Sequence, residues 1–235
     1  MQRIMEPAFE ILYLLVGLVI SLIILAKASG RKSFVVFGIM GLLLVFGDAF
    51  HLVPRMLNAW GVGGENIVAY LGIGKLVTSI TMTVFYVLLF WFFRLRYGKK
   101  THVALDVCVY ALATVRIVLC ALPMNEWTSA DAPYLWGIWR NIPFFVLGVL
   151  MVVLAFIWAK ENGDKRFSLA WLAITLSFAF YAVTVVGTKF VTALGMMMIP
   201  KTVCYVWLLV MGLVAVLKEK GEPEIIGENN EKSKF

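Results

Sequence analysis

The residues of this chain best suited to chemistry are Asp48, His51 and Arg55, which follow an apolar run from Phe34 to Phe46. Spacings of three and four residues place all three on one face of a helix. An aspartate and a histidine on one face can serve as a general base, and an arginine beside them can hold a carboxylate or a phosphate. Ionisable groups inside an apolar segment are costly and usually functional, so we expect a site here.

Metal and cofactor chemistry is poorly supported by the same residues. A metal site needs several converging histidine, cysteine or carboxylate ligands, and the chain has 2 histidines, His51 and His102. Glu10 with Asp48 and His51 would make at best a weak carboxylate–imidazole site. Phosphate-binding loops, nucleophile elbows and dinucleotide fingerprints are missing from the sequence. We expect no resident metal and no cofactor.

The composition indicates the kind of protein that must position these residues. Of the 235 residues, 62% are hydrophobic and 15% are charged, whereas soluble domains have about 45–50% and about 25%. This excess predicts an integral membrane protein. The net charge of +7 does not indicate a nucleic-acid partner, because basic residues in loops orient membrane helices and no nucleic-acid-binding motif accompanies them.

Seven apolar segments are long enough to cross a bilayer, which takes about 20 residues each. We place them near residues 8–28, 34–57, 67–93, 102–122, 135–159, 168–190 and 194–217. The expected fold class is therefore an all-α integral membrane protein whose seven transmembrane helices occupy residues 1–220. Pro143 predicts a kink in the fifth segment. Residues 221–235 are polar and predict a short disordered cytoplasmic tail.

Basic residues alternate between the connections and predict the topology. The first, third and fifth connections and the start of the tail are basic, whereas the second and fourth are neutral or acidic. The positive-inside rule then puts the N-terminus outside and the C-terminus in the cytoplasm. We expect a multi-pass protein of a bacterial cell membrane.

Cations accumulate at one depth of the predicted bundle. At about 1.5 Å per residue, a set of basic side chains falls within the outer part of the membrane, together with few acids. The cations are Arg55, Lys75, Arg116, Arg140, Lys189 and Lys201, and the acids are Asp48, Glu10 and Glu6. Such an excess repels itself unless an anion lies among the cations. It predicts an outward-facing pocket that binds an anion.

The function that we expect is binding, with transport or sensing, of an anionic solute or a lipid head group. The partners would be that anion and the membrane lipids. Two alternatives stay open: a membrane-embedded lipid hydrolase or transferase with Asp48 and His51 as its catalytic pair, and a structural bundle whose charges only pair with one another. The expected ligand-binding set is Glu10, Asp48, His51, Arg55, Lys75, Arg116, Arg140, Asn141, Tyr181, Lys201 and Tyr205.

Overall fold

The computed structural model describes residues 2–100 and 103–219 of the chain, and the regular elements in these residues are helices. The described residues form eight α-helices: α1 (Gln2–Lys27), α2 (Lys32–Ala59), α3 (Ile67–Arg96), α4 (Val103–Ala121), α5 (Tyr134–Trp139), α6 (Ile142–Glu161), α7 (Ala170–Gly187) and α8 (Met198–Lys218). Two short 3-10 helices, Pro123–Asn125 and Thr192–Met197, lie in the connections.

Seven helical spans within the described residues are long and apolar enough to cross a membrane. This confirms the prediction of an all-helical chain with seven such spans. The fifth span, Tyr134–Glu161, comprises α5 and α6 together. The predicted tail, residues 221–235, lies outside the described residues.

The kink expected at Pro143 takes the form of a break between α5 and α6. Proline lacks a backbone N–H and is tolerated in the first turn of a helix, which is where Pro143 lies in α6. The amide of Asn141 bonds the carbonyl of Ile138 at 2.9 Å, a tighter turn than an α-helix makes. The break places Arg140 and Asn141 at the start of the long helix α6.

The bundle has two chemically different ends. One end is formed by connections 28–31, 97–100 and 162–169, and we call it the basic end. The other is formed by connections 60–66, 122–133 and 188–197, and we call it the cavity end. Aromatic rings pack tightly in the half towards the basic end, where Phe92 lies 4.6 Å from Phe37 and 4.9 Å from Phe167 between ring centroids. Polar side chains concentrate in the other half.

Gly74 allows α2 and α3 to approach closely beside the polar residues. A Cβ atom at this position would overlap the carbonyl oxygen of Phe50 and lie 2.8 Å from the Cα atom of His51. Small residues permit such close helix contacts in membranes. The approach brings the Asp48–Arg55 face of α2 against Lys75 and Thr78 of α3, where the Thr78 hydroxyl donates to the carbonyl of Gly47 at 2.8 Å.

Candidate functional site

A cavity of about 600 Å³ lies at the cavity end, between α2, α3, α4, the α5–α6 break, α7 and α8. We call it the cationic cavity, because five basic side chains lie in its wall and none of its described lining residues is Asp or Glu. The five are Arg55, Lys75, Arg116, Arg140 and Lys201. Each comes from a different part of the chain, so the fold alone brings them together.

Arg116 is the most deeply buried of these cations, with 2% of its surface exposed. Its Nη1 donates to the backbone carbonyl of Arg140 at 3.1 Å and to Oδ1 of Asn141 at 2.8 Å. Its guanidinium carbon lies 3.8 Å from the centroid of the Phe144 ring. Its buried Nε has no hydrogen-bond partner in the described part of the chain. Arg116 is therefore held by neutral groups and keeps an unused donor.

Asn141 is oriented by the break between α5 and α6. Its side-chain amide donates to the carbonyl of Gly137 at 2.7 Å. Its oxygen then accepts both Arg116 and the hydroxyl of Tyr181, the latter at 2.9 Å. At the break, the side-chain oxygen of Asn141 therefore accepts hydrogen bonds from α4 and α7 and links both helices to α6.

Arg140 is held from the connection 122–133. Its Nη1 donates to Oδ1 of Asn125 at 2.9 Å, and its guanidinium carbon lies 4.0 Å from the Trp127 ring centroid. Asn125 is itself fully buried, and its amide donates to the carbonyls of Leu119 and Leu122 at 2.7 and 2.8 Å. Asn125, Trp127 and Phe144 are functional candidates that the sequence did not reveal.

The two lysines complete the positive wall. Lys201 is 6% exposed, and its ammonium lies 4.7 Å from the Tyr181 ring and 5.6 Å from the Tyr205 ring. Lys75 is exposed and lies near enough to Arg140 and Arg55 to interact electrostatically with each.

Most cations of the cationic cavity therefore contact neutral groups, such as carbonyl oxygens, amide oxygens and aromatic rings, rather than carboxylates. Within residues 2–100 and 103–219, no ion pair involves Lys75, Arg116, Arg140 or Lys201. Aromatic faces and carbonyl oxygens stabilise a cation without neutralising it. None of these four cations is therefore neutralised by an ion pair within the described residues.

A second, much smaller space of about 40 Å³ adjoins the cationic cavity. We call it the acidic chamber, because Glu10 of α1 and Asp48 of α2 lie in its wall with Tyr13 and Tyr205. A volume above roughly 10–15 Å³ can hold a water molecule, so the chamber has room for water. The residues that line both spaces are His51, Arg55, Thr78, Met198 and Lys201.

The carboxylates of the chamber have specific partners. Arg55 pairs with Glu6 and, through Nε, with Oε1 of Glu10 at 3.3 Å. Glu10 is 5% exposed, and its Oε2 is buried with no hydrogen-bond partner in residues 2–100 and 103–219. Oδ2 of Asp48 accepts the hydroxyl of Tyr13 at 2.7 Å, and Lys201 lies near enough to interact with its charge.

The structure places every residue of the expected ligand-binding set in the wall of one of these two spaces. Glu10, Asp48 and Tyr205 line the chamber, and the others line the cationic cavity. Lys189 is absent from both walls and lies 4.6 Å from the Tyr134 ring. The role of each residue in ligand binding stays a prediction.

The catalytic alternative depends on the contacts that Asp48 and His51 make. Within the described residues, Asp48 is bonded to Tyr13, no hydrogen bond between Asp48 and His51 is present, and Nδ1 of His51 is buried without a partner. No group of three or more His, Cys, Asp or Glu side chains that could hold a metal ion occurs in the described part of the chain. The pair as a general base stays a prediction.

Comparisons with protein-family models, with curated proteins and with solved structures find no match to this chain. The case for a function therefore depends on the geometry of the cationic cavity and of the acidic chamber beside it.

Proposed function

We propose that this chain is a multi-pass membrane protein that binds an anionic solute or an anionic lipid head group in the cationic cavity, as a step in transport or sensing. One observation carries the proposal. Five cations line a space of about 600 Å³, and no Asp or Glu of the described residues lies in its wall. Four of these five cations form no ion pair within the described residues.

Electrostatics supplies the driving force for binding. Two unit charges about 4 Å apart repel by about 4 kcal/mol at an effective dielectric constant near 20. Arg140 lies within electrostatic range of both Arg116 and Lys75, so like charges repel one another across the cavity. An anion among them replaces repulsion with charge-assisted hydrogen bonds, for which the unused Nε of Arg116 is available.

The size and lining of the cavity fit a ligand with an organic body better than a bare inorganic ion. Small-molecule sites are typically about 300–1,000 Å³ and combine apolar walls with a few polar groups. Trp127, Tyr134, Phe144 and Tyr181 supply aromatic surface beside the cations. The ligand class that matches is a carboxylate, sulfonate or phosphate attached to an apolar or aromatic body.

Charge distribution supports an outward-facing cavity in a bacterial cell membrane. Basic residues dominate the end opposite the cavity, in connections 28–31 and 97–100 and at Lys160, Lys165 and Arg166. Cytoplasmic loops carry such an excess. The cavity would then receive its anion from outside the cell or from the outer lipid leaflet.

The proposal is tested by anion-dependent stabilisation of the purified protein in a neutral detergent. The probes are sulfate, methanesulfonate, benzenesulfonate, phosphate and phosphatidylglycerol, and the measurements are the unfolding temperature and the dissociation constant. We expect at least one probe to raise the unfolding temperature. We expect Lys75→Gln and Lys201→Gln to weaken its binding about 10–100-fold each, because a charged hydrogen bond contributes about 1.5–3 kcal/mol.

Lys189→Gln is the matched control, because it removes the same charge at a position outside both walls. Its affinity should stay within twofold of wild type. Binding of a soluble sulfonate identifies a solute site, whereas binding of phosphatidylglycerol alone identifies a head-group site. The proposal is wrong if no probe stabilises the protein, or if all three lysine variants bind as tightly as wild type.

A further inference from the structure

Arg55 connects the cationic cavity to the acidic chamber. It lines both spaces, and it is the one cation of the described cavity wall that is ion-paired, with Glu6 and Glu10. An anion that enters the cavity therefore competes with these carboxylates for the Arg55 guanidinium. The side chain of Arg55 is 29% exposed, so it is accessible to such a competitor.

Glu10 is the group that would respond to the loss of Arg55. Its side chain is deeply buried, Oε1 is ion-paired with Arg55 at 3.3 Å, and Oε2 has no hydrogen-bond partner among the described residues. A buried carboxylate without any donor is very costly while it is ionised. The chamber beside Glu10 has room for the water that would deliver a proton to the unpartnered Oε2.

We propose that Glu10 is a proton-binding site coupled to the anion site, so that the chain takes up one proton from water with each anion that engages Arg55. This inference rests on the proposed function. When Arg55 turns from Oε1 of Glu10 to the anion, a proton from the solvent binds the carboxylate, and the carboxyl group becomes neutral. A monovalent anion and one proton together add no net charge to the membrane interior, which avoids the cost of burying a charge.

The neighbours of Glu10 favour it over the other titratable groups. Asp48 accepts the Tyr13 hydroxyl at 2.7 Å, and this hydrogen bond remains even when the nearby Lys201 engages the anion. His51 lies near both Lys75 and Lys201, which oppose a further positive charge there. The titratable and charged groups that face the chamber or its wall are Glu6, Tyr13, Asp48, His51, Arg55, Lys75, Lys201 and Tyr205.

Thermodynamic linkage makes the coupling measurable from either side. If anion binding takes up a proton, then lowering the pH must strengthen anion binding by the same coupling free energy. Coupling to one proton changes the affinity tenfold per pH unit wherever Glu10 is ionised in the free protein and protonated in the complex.

The experiment measures proton uptake by the full-length protein on addition of methanesulfonate or benzenesulfonate, which do not titrate near neutral pH. A pH-indicator dye in weakly buffered detergent solution reports the protons, and titrations from pH 5 to 9 report the affinity. For wild type we expect up to one proton per bound anion and a tenfold weaker affinity per unit of rising pH. Glu10→Gln, which mimics the protonated group, should take up none and bind with little dependence on pH.

Glu6→Gln is the matched control, because it removes the other carboxylate that pairs with Arg55 and should leave the coupling intact. Anion binding by wild type without proton uptake overturns the coupling and leaves the proposed function standing. Uptake that persists in Glu10→Gln and disappears in Glu6→Gln overturns the assignment to Glu10. Absence of binding by any probe overturns the proposed function and the coupling with it.

Discussion

Two buried arginines at opposite ends of the bundle show how differently one side chain can be used. Arg96 at the basic end is 7% exposed and Arg116 in the cationic cavity is 2% exposed. Each lies over a phenylalanine ring, Arg96 at 4.7 Å from Phe167 and Arg116 at 3.8 Å from Phe144. Arg96 is paired with carboxylates, whereas Arg116, within the described residues, donates only to a backbone carbonyl and an amide oxygen.

The Arg96 cluster is electrostatically complete. Its guanidinium bonds Asp164 at 2.5 Å and Glu219 at 2.7 Å, and so joins α3 to the α6–α7 connection and to the end of α8. Tyr97 donates to Asp164 at 2.9 Å, and burial followed by the Asp164 charge raises the pKa of Tyr97 above its ordinary value. Arg31 donates to the carbonyl of Glu219 at 3.0 Å. Such a cluster holds helix ends together, and its charges are already paired within the protein rather than with a ligand.

The cationic cavity is the opposite case, because within the described residues no carboxylate forms an ion pair with Arg116 or with Arg140 beside it. A buried charge with its partner removed is strongly destabilising, whereas a pair replaced as a whole is often neutral. We infer that burial of an arginine at the basic end contributes to stability, and that burial of one in the cavity contributes to recognition. Mutations at the two ends should therefore separate stability from binding.

Replacing each arginine by methionine gives the largest expected difference. Arg96→Met leaves Asp164 and Glu219 without their main partner and should destabilise the fold by about 3–5 kcal/mol, the cost of breaking a buried ion pair. Arg116→Met keeps an apolar contact with Phe144 and removes repulsion, so it should change the unliganded stability by about 1 kcal/mol or less while abolishing anion-dependent stabilisation. Thermal unfolding in detergent, with and without benzenesulfonate, measures both.

A reversed result would remove the contrast between the two ends. If Arg116→Met unfolds at a temperature as low as Arg96→Met, the cavity arginine is a stability residue. If Arg116→Met keeps the full anion-dependent stabilisation, it does not touch the ligand. Double replacement of Arg96 and Asp164 by methionine and leucine should recover part of the stability lost in the single variant.

The support of Arg140 offers a second, smaller test within the cavity. Gly72 of α3 lies against the backbone carbonyl of Trp127, where a Cβ atom would overlap. Gly72→Ala should displace the connection that carries Asn125 and Trp127, and so release Arg140 from both. We expect about tenfold weaker anion binding, measured by titration, with a much smaller change in unfolding temperature. Unchanged affinity would mean that Asn125 and Trp127 do not position Arg140 for the ligand.

The sequence predicted the helical spans well because their determinants are local. Each span is an apolar run of sufficient length, and Pro143 marks the α5–α6 break by its missing N–H. Spacing within α2 also put Asp48, His51 and Arg55 on one face, and depth counting put Arg116 and Lys201 near them. Properties that depend on one helix at a time are therefore accessible from the chain alone.

The partners of these residues were not accessible, because they depend on contacts between distant segments. Nothing in the sequence indicates that the Trp127 ring lies over Arg140. Nothing in the sequence indicates that Arg96 pairs with Asp164 and Glu219. Composition shows that a cation is present, but only tertiary packing shows whether a carboxylate or a carbonyl faces it.

The smallest expected effect is the pH dependence of the Arg96 cluster. Burial alone would raise the pKa of Asp164, but hydrogen bonds from Arg96 and Tyr97 and the charge of Arg96 bring it below its ordinary value. A carboxyl whose pKa is lowered by folding stabilises the protein above its unfolded pKa, about 3.9, and this contribution is lost as the pH falls through the folded value. The unfolding temperature of Asp164→Asn should therefore lie below that of wild type at pH 7 and converge with it below about pH 4. Curves that still stay parallel as the pH falls from about 4 through the folded pKa of Asp164 would show that the Asp164 charge does not stabilise the basic end. Anion affinity at the cavity end should be the same in both proteins throughout.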